Sequence, residues 1–425
     1  MNRRFNITVV EPRGSGGMIH YAYQMCTALS DEGADVTLIT SVEYELEEYP
    51  HNFAVNKLLR LWSLTNTSAS QKTNNRLGSL IHKIHRSIRR VFRGVRYVVE
   101  WTRLTTHLLF TKPDIVQFGK IEFPFEAVFL SILKMNGLTL SQICHEFELR
   151  EQGNNPLVNF SNQLYRWVYQ SFSFLFFHSS INKDRFSYLF NVDSKRFYLI
   201  PHGNESMFLS ASQATDSISE SELRERYKVD ASAPIVLFFG NLMPSKGIPD
   251  LLKAFGLVQN DNPHSRLIVA GKPTKHIDLP ALKQLALDLG INGSTIFDSR
   301  YIPIEDVAPL MEMASVVVYP YLNSTQSGSL QVAYAFGRPV IATNVGGLPD
   351  AVEDGKSGFL VDPNDPEQLA AKILMFINNP KLTKRMGAYA KHLSETRFSW
   401  KTVASIILNV YEEKLEKEKL ERKSR

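Results

Sequence analysis

The sequence predicts an α/β protein made of two doubly wound parallel sheets, and three observations carry that prediction. Short apolar runs rich in β-branched and aromatic residues recur along the chain, as strands buried on both faces should. Segments with helical apolar spacing separate those runs, the alternation expected of a covered parallel sheet. Glycine turns stand between strand and helix at both ends of the chain, at Gly14–Gly17 and Gly346–Gly347.

Taken in order, Phe5–Val10 predicts a strand, Glu11–Gly17 a glycine-rich turn and Met18–Leu29 a helix. Gly33 stops that helix before a second strand at Val36–Ile39. Asp114–Phe118, Leu138–Cys144 and Phe174–Phe177 predict further buried strands. A polar, serine-rich stretch covers 203–233, and then the alternation restarts. Ile235–Phe239, Arg266–Ala270, Thr295–Phe297, Val316–Tyr319, Val340–Ala342 and Gly358–Val361 are its strand candidates. The simplest division is two Rossmann-like domains, 1–200 and 201–399, with a helix over 400–425 as a candidate to complete the first. From Glu412 the tail reads as a charged, solvated helix or a frayed end.

Composition narrows the class. The chain has 425 residues, 44% apolar and 21% charged, the balance of a globular rather than a disordered or fibrous protein. Cys26 and Cys144 lie far apart, which argues against a disulfide framework or a zinc site and suits a reducing cytoplasm. The first apolar run is too short for a signal peptide, and no run of about 18 apolar residues predicts a membrane-spanning helix. The net charge of +5 is unevenly spread. Between Arg76 and Arg103 stand Arg76, Lys83, Arg86, Arg89, Arg90, Arg93, Arg96 and Arg103 against one acid, Glu100. Leu77, Leu80, Ile81, Ile84, Ile88, Val91, Val95 and Val98 recur there at helical spacing. A basic amphipathic helix of this kind suits an anionic lipid surface, or is a helix packed on its own domain with a solvated basic face. No nucleic-acid motif accompanies the patch.

Three motifs carry chemistry. Gly14-Ser15-Gly16-Gly17 joins a strand to a helix, where backbone can approach an anion closely. Its spacing is not that of a dinucleotide fingerprint. Gly240-Asn241-Leu242-Met243-Pro244-Ser245-Lys246-Gly247 follows a strand, and Lys246 is well placed to neutralise a phosphate. After the strand Val316–Tyr319 comes an amide- and hydroxyl-rich loop, with Thr325, Gln326 and Ser327, and a helix predicted to start at Gly328. The N–H groups of Ser327, Gly328, Ser329 and Leu330 are then expected to be free for a diphosphate.

At these residues the chain resembles family 4 of the glycosyltransferases. The resemblance rests on the early Gly-Gly…His order, Pro201-His202-Gly203, the Lys246 loop, Ala270-Gly271-Lys272-Pro273, Arg300-Tyr301-Ile302-Pro303, and the run from Gly337 to Pro363. It implies a GT-B fold, two facing Rossmann-like domains with a cleft between them. It also implies retaining hexosyl transfer from a nucleoside-diphosphate sugar, with no cofactor and no obligatory metal. The donor would lie mainly on the C-terminal domain and the acceptor, lipid-linked or a surface glycan, on the N-terminal one. Gly16 and Gly17 would meet the donor phosphates. Asn241, Lys246 and Thr325 to Leu330 would serve the donor, with Gly271, Lys272, Arg300 and Tyr301 bordering the base. His145 matches the histidine beside the transferred sugar. Glycosyltransferases of this fold often use a basic patch to reach lipid-linked acceptors, so Lys83, Arg86, Arg89, Arg90, Arg93 and Arg96 are expected to hold the enzyme at the inner, cytoplasmic face of a membrane. Two departures stand out. Most members carry paired glutamates where this chain has Ser324 and Val332, and an arginine where it has Asn241. They leave open a catalytically silent binding or scaffold protein, or another GT-B enzyme such as a nucleotide-sugar epimerase.

Overall fold

The computed structural model describes residues 5–60, 76–145, 147, 156–209 and 218–423, with the side chains of 76–91, 156–159, 161–162 and 417–423 outside the description. The chain forms two compact units. The first comprises Met1–Phe177, Lys183–Tyr198 and Ile407–Arg425, and the second His178–Asn182 and Leu199–Ile406.

In chain order the first unit carries β1 (Asn6–Val10), α1 (Gly17–Asp31), β2 (Asp35–Ser41), β3 (Ala54–Leu59), α2 (Arg76–Thr111) and β4 (Ile115–Phe118). Then follow α3 (Glu126–Met135), β5 (Thr139–Ile143), α4 (Pro156–Gln170), β6 (Phe174–Phe177), α5 (Ser180–Phe190) and β7 (Phe197–Leu199). The sheet order is β3-β2-β1-β4-β5-β6-β7, parallel in every pairing from β3 to β6. Every residue of β4 and β6 is buried, which is why β6 reads as an unbroken apolar run and β4 as one interrupted only by Gln117. The two edge strands, β3 and β7, were not predicted. Both are half-exposed and lack the apolar run that marks a central strand.

Helix α2 is as predicted in kind, and among its described side chains the buried residues lie beyond the predicted stripe. Trp101, Leu104 and Leu108 enter the core beside Leu130 and Leu133 of α3. Val95 and Val98, on the predicted apolar stripe, are 58% and 44% exposed. The stripe is therefore unburied at this end. Among the described side chains of α2, Tyr97 packs against the core from its edge and the aromatic ring of Trp101 stacks on Phe118 and Phe129.

The second unit carries α6 (Glu220–Tyr227), β8 (Ile235–Phe239), α7 (Ile248–Asp261), β9 (Arg266–Ala270), α8 (Leu279–Asp288), β10 (Thr295–Asp298) and α9 (Ile304–Met313). It continues with β11 (Val316–Tyr319), α10 (Gly328–Ala335), β12 (Val340–Thr343), α11 (Leu348–Ala351), β13 (Gly358–Val361), α12 (Pro366–Ile377) and α13 (Pro380–Glu395). Its parallel sheet runs β10-β9-β8-β11-β12-β13. Asp278, Asp365 and Asn379 cap α8, α12 and α13 through their side chains, each with a proline in the first turn.

The last helix, α14 (Trp400–Lys423), passes from the second unit to the first. Tyr411 is fully buried there, and its hydroxyl donates to Gln117 Oε1 at 2.6 Å and lies 3.0 Å from Ser141 Oγ. That hydroxyl fastens α14 to β4 and β5. Among the described residues, no helix is long and apolar enough to cross a membrane.

Candidate functional site

Doubly wound sheets bind ligands at the carboxyl ends of the strands where the strand order reverses. In the second unit that point lies between β8 and β11. The loops there are interlocked by backbone approaches that only glycine permits. Gly271 has φ +149°, and a Cβ on it would stand 1.9 Å from the Gly240 carbonyl oxygen. Gly247 has φ +63°, and a Cβ would stand 1.8 Å from Pro320 O. Leu322 N donates to Ser245 O at 2.8 Å, so the β8 loop and the β11 loop share a backbone bond. Lys246 is thereby held half-buried at the reversal point, its Nζ 3.5 Å from the centroid of the Tyr321 ring. Asn241 is exposed beside it.

The start of α10 is at Gly328, as the sequence predicts, and Ser327 is its N-cap. This corrects one expectation. Leu330 N–H is not free, because it donates to Ser327 Oγ at 3.3 Å, and Ser327 Oγ in turn lies 3.1 Å from Tyr321 Oη. The hydroxyl takes the acceptor position of an N-cap residue. Ser329 Oγ is 3.0 Å from where a Cβ on Gly240 would be, so this first turn lies against the Lys246 loop. Thr325 O accepts from Asn182 Nδ2, and Ser324 Oγ donates to Gln326 O at 2.7 Å. Gln326 Oε1 is buried without a hydrogen-bond partner. Gly346 and Gly347 pack on the carbonyls of Ser324 and Thr325 so closely that a Cβ would overlap them.

Arg300 is committed elsewhere. Its guanidinium bonds both oxygens of Asp298, at 2.9 and 3.2 Å, and pairs with Asp306. Tyr227 Oη completes the Asp298 carboxylate at 2.6 Å. The arginine ties the β10 loop to α9, and Tyr301 beside it is half-exposed. Lys272 O accepts from Leu242 N, joining the β9 loop to the β8 loop.

The His202 ring lies 3.4 Å from where a Cβ on Gly328 would be, with Glu205 Oε1 at 3.5 Å. Burial lowers the His202 pKa to about 4, so the ring is neutral at physiological pH. Its Nδ1 is 3.2 Å from Gly203 O. In the sequence His202 stands within the Pro201-His202-Gly203 motif, and neither it nor Glu205 has a role assigned from sequence. The motif was a signal for His202, and Glu205 had only its place three residues further on.

In the first unit the order reverses between β1 and β4. Gly16, with φ +89°, donates its N–H to Glu45 Oε1 at 2.7 Å, and His20 Nε2 lies 2.7 Å from the same oxygen. A phosphate at Gly16 would displace that carboxylate; Gly17 begins α1. His145 follows β5, is buried, and meets the Tyr21 ring edge-on at 4.5 Å. Glu11, the residue after β1, is buried too. Burial raises its carboxyl pKa to about 7, against the backbone N–H of Arg13 that favours ionisation. Nothing in the sequence marked Glu11 beyond an acid directly following an apolar strand.

Of the basic patch, Arg93 and Arg96 are exposed on α2, while the side chains of Lys83, Arg86, Arg89 and Arg90 lie outside the described residues. Exposed Phe92, Val95 and Val99 accompany them on α2, with Phe123, Phe125 and Val128 at α3.

Comparison with known proteins agrees with this architecture. Residues 15–205 match Glycosyltransferase Family 4, and residues 219–393 match Glycosyl transferases group 1. The D-inositol 3-phosphate glycosyltransferase of Streptomyces avermitilis is 36% identical over 194 residues, 44% of this chain and 41% of that protein. The GDP-mannose-dependent alpha-(1-6)-phosphatidylinositol monomannoside mannosyltransferase of Mycolicibacterium smegmatis is 29% identical over 236 residues, 53% of this chain and 58% of that protein. The chain spans about half the length of the curated relatives it matches. Among solved structures, sucrose-phosphate synthase from Thermosynechococcus elongatus aligns with a TM-score of 0.71 at 17% identity, covering 97% of this chain and 100% of that one. Anabaena Alr3699/HepE in complex with UDP and glucose aligns at 0.69 and 17% identity, covering 96% and 100%. With two parallel sheets and the two adjoining family matches, the chain has the GT-B fold and belongs among the glycosyltransferases of family 4 type.

Proposed function

We propose that this protein is a hexosyltransferase that moves a sugar from a nucleoside-diphosphate donor to a lipid-linked or surface-glycan acceptor, with retention of configuration. The observation that carries the reading is Lys246, half-buried at the strand reversal of the second unit and held by two glycine-locked loops beside the first turn of α10. A fixed ammonium and a helix N-terminus both favour a diphosphate, bound in the donor and leaving in the products. The backbone N–H groups of Ser327, Gly328 and Ser329 would add donors, with Asn241, Thr325 and Gln326 at the loop's edge. Gly271, Lys272 and Tyr301 would border the base, with Arg300 acting through the loop it ties down. Gly16 and Gly17 would meet the donor phosphates once Glu45 gives way. His145 would hydrogen-bond the reacting sugar, and no divalent metal would be needed because Lys246 and the helix terminus supply the positive potential.

The departures at Ser324 and Val332 support the competing reading of a silent binding protein. Val332 is buried and apolar, and Ser324 is bonded to its own loop. Screening UDP-, GDP- and dTDP-sugars for thermal stabilisation, then for sugar release in EDTA, decides between them. A ligand at 100 times its Kd adds ~2.7 kcal/mol. Stabilisation without turnover on any acceptor lipid extract would favour the binding protein, and stabilisation by none would sink both.

Peripheral attachment to the inner face of an anionic membrane is part of the same reading. Arg93 and Arg96 beside exposed Phe92, Val95 and Val99 combine charge with an apolar face, as interfacial helices do.

A further inference from the structure

At the strand reversal of the first unit, Glu11 and Gly119 follow the paired ends of β1 and β4. Glu11 is 2% exposed. One carboxyl oxygen, Oε1, accepts from Arg13 N at 3.1 Å. The other, Oε2, is buried without a hydrogen-bond partner, although a polar atom so placed normally has one. It borders a cavity of about 10 Å³ lined also by Met18, Tyr21, Gly119, Ile143 and His145. That is room for one water or one hydroxyl group. The space exists because residue 119 is glycine, since a Cβ there would stand 2.7 Å from Oε2.

We propose that Glu11 is a specificity-determining residue whose Oε2 accepts a hydrogen bond from a hydroxyl of the acceptor, so that the acceptor presents an uncharged polyol at this point. The inference rests on the transferase reading above. A hydroxyl matches the cavity in size and supplies the missing donor. A phosphate is too large for it, and an ionised Glu11 would repel it. A sugar hydroxyl bonds more strongly to an ionised carboxylate than to a neutral acid. Free Glu11 holds its proton up to about pH 7, so acceptor binding below that pH should expel it. The charged and titratable groups facing Glu11 are Arg13 on its own loop, Lys120 and Glu122 after β4, Tyr21 on α1 and His145 after β5.

The test is calorimetric titration of the full chain, with and without UDP or GDP, by n-octyl β-D-glucopyranoside, n-octyl β-D-galactopyranoside, n-octyl α-D-mannopyranoside and myo-inositol. For at least one, the apparent Kd should fall as pH rises from 5.5 to 7, by at most about tenfold per unit, then level. Near pH 6, titrations in MES and Bis-Tris buffers should show close to one proton released. Glu11→Gln should flatten that pH dependence, and Glu11→Ala should weaken binding about tenfold or more. Gly119→Ala should lose binding because it fills the hydroxyl's space. Nucleotide binding by each variant reports that it is folded and keeps donor binding apart from acceptor binding. The proposal is overturned if none of the four binds at pH 8 to folded protein, or if binding by the parent is independent of pH. It is equally overturned if Glu11→Gln keeps the parent's pH slope, or if Gly119→Ala binds as the parent does.

Discussion

Lys246→Met removes the ammonium while leaving an unbranched apolar side chain over the Tyr321 ring. Lys246 Nζ lies 3.5 Å from that ring's centroid, an interaction contributing about 0.5–1 kcal/mol. A charge-assisted bond to a phosphate contributes roughly 1.5–3 kcal/mol. If the ammonium leaves the ring to reach the diphosphate, the difference is roughly 0.5–2.5 kcal/mol, which corresponds to a Kd raised about 2- to 70-fold, with a middle value near tenfold. If it reaches the phosphate while still over the ring, the loss lies at the upper end. Isothermal titration with UDP and GDP measures it directly, and the thermal midpoint of the free variant should fall only slightly. Added salt should weaken the parent more than the variant, since only the parent presents the charge. A folded Lys246→Met that binds the nucleotide within twofold of the parent, with the same salt dependence, would refute the phosphate role.

Three further outcomes are expected. Glu126, buried at the start of α3, has a carboxyl pKa raised by burial to about 8, although Tyr97 Oη and the N–H groups of Glu122 and Phe123 all donate to its Oε1. The folded chain thus binds a proton the unfolded chain has lost. Stability present below about pH 4.5 is given up as pH rises toward 8, by up to ~1.4 kcal/mol per unit from this group. Glu126→Gln should shallow the fall in thermal midpoint between pH 5 and 8, and an unaltered slope would contradict the burial argument. Tyr411→Phe should cost about 1 kcal/mol in urea unfolding. Its hydroxyl bonds are lost while Ser141 Oγ still donates to Gln117 Oε1 at 2.7 Å, and a cost above ~3 kcal/mol would point to repacking instead. Arg93→Glu with Arg96→Glu should reduce sedimentation with phosphatidylserine vesicles at low salt, each lost cation near the surface weakening binding by ~1 kcal/mol; equal sedimentation would leave the patch a solvated face.

The order of elements was legible because buried parallel strands leave a local trace. Phe174–Phe177, Ile235–Phe239 and Val316–Tyr319 are unbroken apolar runs, and they are strands at those residues. The position of Lys246 was legible for a similar reason, since a strand followed by a glycine-bounded loop puts the loop at the sheet's carboxyl edge. The start of α10 at Gly328 likewise followed from a strand, a polar loop and a run of helix formers.

What the sequence left undecided depends on residues far apart in the chain. Whether α2 buries its stripe depends on which turn meets α3, so Trp101 is core and Val95 is not, although both fit an apolar face. Arg300 reads as a free cation until Asp298 and Asp306 are brought to it. The N–H of Gly16 is taken by Glu45 from 29 positions away, and the hydroxyl of Tyr411 meets Gln117 across 294. Composition and spacing determined which segments are strands, helices and glycine turns, because those preferences act within a few residues. Tertiary structure alone decided which polar groups are satisfied, which glycines another strand's carbonyl requires, and that Glu11 lies beside a space the size of one hydroxyl. Burial and hydrogen bonding are properties of neighbours in space, and the chain order does not list them.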